Sequence, residues 1–317
     1  MAVAVLQEQQ LLGLDRRLAA LRKSRPDLNE ALDLQEALIR ASLSAPRPAE
    51  AHPFPLPHDQ VAARLREGVP LLHDQPAYVD VHLAADVFSR LVNVLQERQD
   101  AELRARLEGI VTAATGGAID PQRLFGEAFV QHTDHVAEIA LQSGVEAELL
   151  GTLAVQAVAP LLRAYAERLL PLVERHDDGS PETTVWQQGF CPICGGWPVL
   201  AELRGIELAQ YLRCAGCGSG WRSRRLFCPY CGNDDHRSLS MITIDGDQRF
   251  RISVCERCKG YLKVGNAFDP PPAELLAIDD VASLHLDVAA IERGYHRPGG
   301  SGFVIELAVP DEEFEDD

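Results

Sequence analysis

Cys191-Pro-Ile-Cys194-Gly, Cys214-Ala-Gly-Cys217-Gly, Cys228-Pro-Tyr-Cys231-Gly and Cys255-Glu-Arg-Cys258-Lys-Gly are the four stretches on which the fold of this 317-residue chain turns. They hold all eight of its cysteines, within sixty-eight residues. Two residues between cysteines let a short loop curl around an ion with both sulfurs on one side. Four such loops supply eight thiolates, enough for two tetrahedral four-sulfur sites holding iron or zinc. The expected ligands are Cys191, Cys194, Cys214, Cys217, Cys228, Cys231, Cys255 and Cys258. A glycine after the second cysteine of a pair adopts positive φ at little cost and lets backbone N–H groups turn toward sulfur. The fourth pair has its glycine one place later, so its loop is expected to close differently.

Two other uses of these cysteines fit less well. Disulfides suit small secreted chains. The apolar start Met1-Ala-Val-Ala-Val-Leu6 is cut short by Gln7-Glu8-Gln9-Gln10, too early for a secretory signal. A thioredoxin-like dithiol belongs beside a βαβ pattern, which this region lacks.

The cysteine region repeats weakly. Phe190 and Phe227 precede the first cysteine of each half, and Trp221 and Tyr261 follow the last. Arg249-Phe-Arg-Ile-Ser-Val254 and Met241-Ile-Thr-Ile244 read as strands. Each half is then a knuckle, a hairpin arm and a second knuckle. Units of about 40 residues are too small to stand without metal. Sequential pairing is expected, the first two Cys-x-x-Cys pairs on one ion and the last two on the other.

Upstream, residues 1–176 read as an all-α bundle of six or seven helices. Leu11, Leu12, Leu14, Leu18 and Leu21 keep an amphipathic spacing, as do Leu28, Leu32, Leu34, Leu38 and Leu43. The proline-rich stretch 52–58 interrupts them. Further helices are expected over about 59–66, 80–98, 99–114, 121–143 and 145–175, with Asp120-Pro121 as a start signal. The stretch 149–166 is apolar enough to invite a membrane reading, but Gln156, Pro160 and Arg163 mark it as a buried helix. No direct membrane insertion is expected, and the expected compartment is the cytoplasm. The polar segment 176–184 marks the boundary, followed by modules at 185–226 and 227–268, a C-terminal helix at 271–295 and an acidic tail at 310–317.

The net charge of −17 argues against a nucleic-acid partner. Between Cys191 and Lys263, eleven basic residues against seven acidic ones leave +4, so the rest of the chain carries −21. Eight thiolates and two divalent ions bring the region to zero, and its arginines read first as compensation for thiolate charge.

Leu212-Arg-Cys-x-x-Cys-x-x-x-Trp221-x-x-x-Arg225-x-x-Cys-Pro-x-Cys-Gly232 resembles the bacterial formate dehydrogenase accessory family FdhE. So do Val254-Cys-Glu-Arg-Cys-Lys-Gly-Tyr-Leu-Lys263 and Asp279-Asp-Val-Ala-Ser-Leu-His-Leu-Asp287. The resemblance is most specific over about 188–295. It implies a helical domain with rubredoxin-like modules associated with iron. It also implies a partner, the catalytic subunit of a respiratory formate dehydrogenase, met before export by a protein that does not itself oxidise formate. Trp221, Arg222, Arg224 and Arg225 are candidates for touching that client. One rival is an iron protein that adjusts the client's oxidation state; another, disfavoured by charge, is a zinc-ribbon nucleic-acid binder. His132-Thr-Asp-His135 places two histidines one turn apart, a spacing usually found in ordinary surface pairs. His285 is expected to pack or to bond Asp287, and Trp186, Trp197 and Trp221 to cover the metal sites.

Overall fold

The computed structural model describes residues 2–46, 56–175, 185–268 and 270–308. Most of the proline-rich connector, the 176–184 boundary and the acidic tail lie outside the described residues.

The amino-terminal part is helical: α1 (Ala2–Ser24), α2 (Asn29–Leu43), α3 (His58–Glu67), α4 (Val81–Gln96), α5 (Ala101–Thr115), α6 (Pro121–Phe129), α7 (Thr133–Ser143) and α8 (Ala147–Glu174). Aspartates set three of the starts. Asp80, Asp100 and Asp120 accept from the backbone N–H of Leu83, Leu103 and Gln122 at 3.0, 2.9 and 3.0 Å. The single helix expected over 121–143 is two. The break falls at Gln131, a non-glycine residue with φ +61°, and α7 starts after His132. Gly144, at φ +68°, ends α7.

Helix α8 is the axis of the bundle, about 42 Å long at 1.5 Å per residue. Leu150, Leu153, Ala157, Leu161, Leu162, Tyr165 and Leu169 are buried among α4, α6 and α7. It is long and apolar enough to cross a membrane, yet 56% of its most apolar window is buried against the rest of the protein. The sequence reading of a buried helix holds.

The cysteine region forms one six-stranded sheet: β1 (Pro198–Arg204), β2 (Ala209–Cys214), β3 (Gly220–Arg222), β4 (Leu239–Ile242), β5 (Phe250–Cys255) and β6 (Tyr261–Ala267), in spatial order β3-β2-β1-β6-β5-β4. Each half is the same knuckle, hairpin, knuckle and third strand, so β4, β5 and β6 repeat β1, β2 and β3. The halves join through parallel pairing of β1 with β6, Leu200 opposite Lys263 and Arg204 opposite Ala267. This gives each of these strands a second neighbour and leaves β3 and β4 as the edges.

The expected C-terminal helix is present but broken. A 3₁₀ turn (Ala273–Leu275) leads into α9 (Leu276–Ala282) and α10 (Leu284–Ile291). Between them Ser283 turns its hydroxyl back to the carbonyls of Asp279 and Asp280, at 2.7 and 3.1 Å.

Three apolar clusters organise the packing. The largest runs from the helices α3–α8 into the first cysteine half and includes Cys191, Cys194, Cys214, Cys217 and Trp221. The second joins Leu14, Leu18, Leu32 and Ile39 near the start of the chain to Leu275, Ile278 and Ala282 near its end. The third seats Leu286 and Ala290 of α10 on Phe250, Ile252, Val254 and Tyr261.

Candidate metal centres

Each knuckle is closed by the same hydrogen bond. The N–H of the first cysteine donates to the carbonyl five residues on: Cys191 to Gly196, Cys214 to Ser219, Cys228 to Asn233 and Cys255 to Gly260, at 2.9, 2.9, 2.8 and 3.0 Å. This requires a left-handed residue after the second cysteine. Gly195, Gly218 and Gly232 supply it with φ of +74°, +74° and +71°. Lys259 supplies it at φ +56° in the fourth knuckle, which therefore closes like the others and not differently as its sequence led us to expect. The displaced glycine has its own reason. A Cβ on Gly260 would stand 2.8 Å from the Tyr230 ring and 3.1 Å from the Cys258 sulfur.

The eight sulfurs gather in two quartets, Cys191/Cys194/Cys214/Cys217 and Cys228/Cys231/Cys255/Cys258, in the sequential grouping. Within each, all sulfurs lie within 4.8 Å of one another. The short edges are 3.6 Å (Cys191–Cys217), 3.4 Å (Cys194–Cys214), 3.6 Å (Cys228–Cys258) and 3.8 Å (Cys231–Cys255). A tetrahedron with metal–sulfur bonds of about 2.3 Å has edges of about 3.8 Å. The spacing fits a central ion and is far from the ~2.05 Å of a disulfide. All eight are free thiols.

Ionisation within each quartet is uneven. Burial pushes the Cys191 thiol up, and its three neighbours add to that. Burial also works against Cys217, yet hydrogen bonds from the other three cysteines and from Ser219 bring it well down. In the second quartet burial raises Cys258 to about 11. Burial opposes Cys255 too, but the N–H groups of Cys258 and Arg257 and the Asn233 amide pull it to about 7. Four thiolates cannot share a desolvated space without a cation between them; either quartet could hold an ion.

The surroundings differ. In the first quartet every sulfur-bearing residue is buried, 2% exposed at most. Leu71 and Leu72 donate backbone N–H groups to Pro192 and Ile193, at 2.8 and 3.0 Å. The Gln131 amide donates to the Cys194 carbonyl at 2.7 Å, and Gly302 and Phe303 donate to Gly195. In the second quartet Cys231 and Cys258 are partly exposed. Asn233 turns its amide to the Cys255 sulfur at 3.4 Å.

Of the tryptophans, Trp186 and Trp221 are buried and Trp197 partly so. Trp197 stacks edge-on between Phe190, 6.3 Å away, and Tyr230 of the third knuckle, 5.4 Å away. Trp221 lies in β3 opposite Leu212, and its indole N–H has no partner among the described residues. Arg222 is half-buried. Arg224 reaches Asp234 at 3.5 Å and lies 4.7 Å over the Phe227 ring. Exposed Arg225 donates to the carbonyls of Glu207 and Leu208, which brings it beside exposed Ile206, Leu208 and Leu226.

His285 does not meet Asp287. It bonds Asp247 at 2.9 Å and Arg25 at 3.0 Å. Asp287 is taken by a network that residue-by-residue reading missed. Lys263, fully buried in β6, reaches Asp280 at 2.6 Å and Asp287 at 2.8 Å, and Arg297 reaches the same two at 2.9 and 2.8 Å. Two cations face two carboxylates, and the Tyr261 hydroxyl donates to Asp287. A lysine between Leu262 and Val264 in a strand was the available signal. Gln131 and Asn233 carried no such signal, because an amide is equally at home in solvent.

Residues 226–304 match the family model described as FdhE, C-terminal domain. Along the chain, an FdhE homologue of Aquifex aeolicus is 22% identical over 282 residues, 88% of this chain and 90% of that protein. One from Shewanella baltica is 32% identical over 133 residues, 41% of this chain and 42% of that protein. The crystal structure of the FdhE protein from Pseudomonas aeruginosa superposes with a TM-score of 0.57 at 24% identity, covering 92% of this chain and 94% of that one; this likeness bears on the fold. The chain thus resembles FdhE proteins over most of its length, and residues 226–304 match the FdhE C-terminal domain.

Proposed function

We propose that this chain is a cytoplasmic assembly factor for a respiratory formate dehydrogenase. In this reading it binds the dehydrogenase's catalytic subunit during maturation and does not turn over formate itself. Cys191, Cys194, Cys214 and Cys217 hold one ion, and Cys228, Cys231, Cys255 and Cys258 the other, iron by family resemblance or zinc by donor chemistry. The observation that carries this is the pair of ion-sized sulfur quartets in a chain whose second quartet lies within the residues that match the FdhE C-terminal domain. A bound ion would supply cross-linking of two knuckles; the chain's own residues present the surface. Exposed Arg225 beside Ile206, Leu208 and Leu226, with half-buried Arg224 next to it in the chain, offers charge and apolar area to an acidic face of the client. Arg222, half-buried, and Trp221, buried in β3, precede them in the chain. The net charge of −17 disfavours a nucleic-acid partner.

Co-purification with the catalytic subunit tests the reading, comparing the native chain, Cys228→Ser and Arg224→Ser/Arg225→Ser. The native chain should capture the client. The cysteine variant should lose capture together with an ion. The arginine variant should keep both ions and lose capture, more at low salt than at high. Equal capture by all three would move the docking surface to the helices, and no capture by the native chain would end the direct-partner reading. Partial exposure of the second quartet also admits a redox role if the ion is iron. A visible spectrum that bleaches on reduction would favour it, and a colourless protein would remove it.

A further inference from the structure

The α6–α7 corner brings Glu127, His132 and His135 together, apart from the cysteines. His132 Nδ1 lies 2.8 Å and His135 Nδ1 3.0 Å from the same oxygen, Glu127 Oε2, and all three donor atoms fall within 4.8 Å of one another. We infer that these residues form a third metal site, for a divalent first-row transition ion such as Zn²⁺, with water completing its coordination. Two imidazoles and a carboxylate are a donor set that such ions take at open sites.

The corner is built to hold them in place. Glu127 sits near the end of α6, and the chain reverses through the left-handed Gln131. The His132 N–H donates to the Glu127 carbonyl at 2.9 Å, locking the first two donors in one turn. His135 follows one helical turn later, its ring edge-on to His132 at 4.9 Å. Donors bonded to one ion at about 2.0–2.1 Å in a tetrahedral arrangement stand about 3.3 Å apart. The two edges from Glu127 to the imidazoles need to open by only a few tenths of an ångström to admit one. Burial opposes ionisation of Glu127, but hydrogen bonds from His135 and His132 hold its carboxyl below the usual range, so the charge an ion needs is present.

The place also suits an exchangeable ion. His135 is 49% exposed and the other two side chains 25%, which leaves coordination positions facing solvent, whereas the first cysteine quartet is sealed. His132 lines a cleft of 690 Å³ with Asp134, Glu148, Thr152 and Gln156, and the two acids add negative charge at its mouth. Gln131, one residue before His132, is the side chain that holds the Cys194 carbonyl. The third site therefore stands on the helical side of the first cysteine knuckle.

The test uses the full-length chain with its cysteine-held ions retained, titrated with Zn²⁺ by calorimetry and with Co²⁺ by visible absorption. One further equivalent should bind, and Co²⁺ in it should show the weak bands of nitrogen and oxygen ligands without a thiolate charge-transfer band. His132→Gln/His135→Gln should abolish that equivalent and leave the cysteine-held ions. Glu127→Gln, which keeps shape and removes charge, should weaken it while thermal unfolding stays unchanged. Absence of the extra equivalent in the native chain overturns the inference. So does equal uptake by Glu127→Gln or the double variant, or a thiolate band that grows with the added Co²⁺.

Discussion

At the first centre four sealed sulfurs sit in the same apolar cluster as the helical bundle, and backbone N–H groups of Leu71 and Leu72 clasp the knuckle. At the second, two cysteines stay partly exposed, and its half of the sheet is tied to the chain's end by α10 packing and by the Lys263–Asp280–Asp287–Arg297 network. The knuckles themselves are alike, down to the bond that closes each one. Identical local geometry has thus been placed in two environments, one held by packing and one held partly by charge. The consequence is a difference in what each centre supports: loss of the first should be felt by the helices, loss of the second mainly by its own half.

Cysteine replacement is the hardest test of that difference. Cys191→Ser/Cys214→Ser should remove one ion and bring down the melting of the entire protein. A structural tetrathiolate site is worth roughly 10–16 kcal/mol, comparable to the stability of an ordinary domain. Cys228→Ser/Cys255→Ser should also remove one ion, but proteolysis should then open about 228–268 and leave a resistant helical fragment. Metal analysis with limited proteolysis reads both. Matching digestion patterns would break the contrast, and loss of both ions from either variant would mean that the centres are not independent.

Next in size is the charge network. Lys263→Met leaves the partly buried Asp280 and Asp287 with Arg297 but one cation fewer, and should cost about 1.5–3 kcal/mol in denaturant unfolding. The network should also give the second half an acid sensitivity. Burial pushes the Asp280 carboxyl up, but Lys263 and Arg297 outweigh it and hold it below its usual value. A carboxylate with a depressed folded-state pKa stabilises the fold above its unfolded value, and that contribution is lost as pH falls through the folded one. Stability should therefore drop below the ordinary carboxylate range, and drop less steeply in Lys263→Met. Parallel pH profiles would show that the network does not carry the dependence.

Single amides come third. Gln131→Ala removes the donor to the Cys194 carbonyl in the buried centre and should cost about 1–3 kcal/mol. Asn233→Ala removes donors to the buried Cys255 sulfur at 3.4 Å and to the Ser238 hydroxyl at 2.8 Å, and should cost a similar amount. Thermal unfolding measures both, and a variant that melts like the native chain would show that its amide does not hold its knuckle. The smallest effect concerns the fourth knuckle. Lys259→Gly relieves a left-handed lysine and should stabilise by no more than about 1 kcal/mol, while Gly232→Ala at the matching place should destabilise by a similar amount.

Much of this was legible in the chain. Asp120-Pro121 announced α6, and the cysteine spacing announced both quartets, because each depends on residues a few places apart. The α6–α7 break was not legible. Gln131 is no helix breaker, and its left-handed turn is held by a contact sixty-three residues away, at Cys194. The Lys259 turn was hidden for a related reason: glycine is the usual sign of positive φ, and here the glycine's place was dictated by Tyr230 and a sulfur beside it.

The sequence by itself determined the two cysteine quartets, their sequential grouping, the helical character of the first half and the buried nature of α8. These follow from short-range spacing and periodicity, which a linear chain carries openly. Only the tertiary structure decided that β1 and β6 fuse two ribbons into one sheet and that α1 and α2 share a core with α9. It alone decided that one centre is sealed and its twin half-open, and that Glu127 meets His132 and His135. Such outcomes depend on which surfaces find each other after local structure has formed, and equal local patterns leave that choice open.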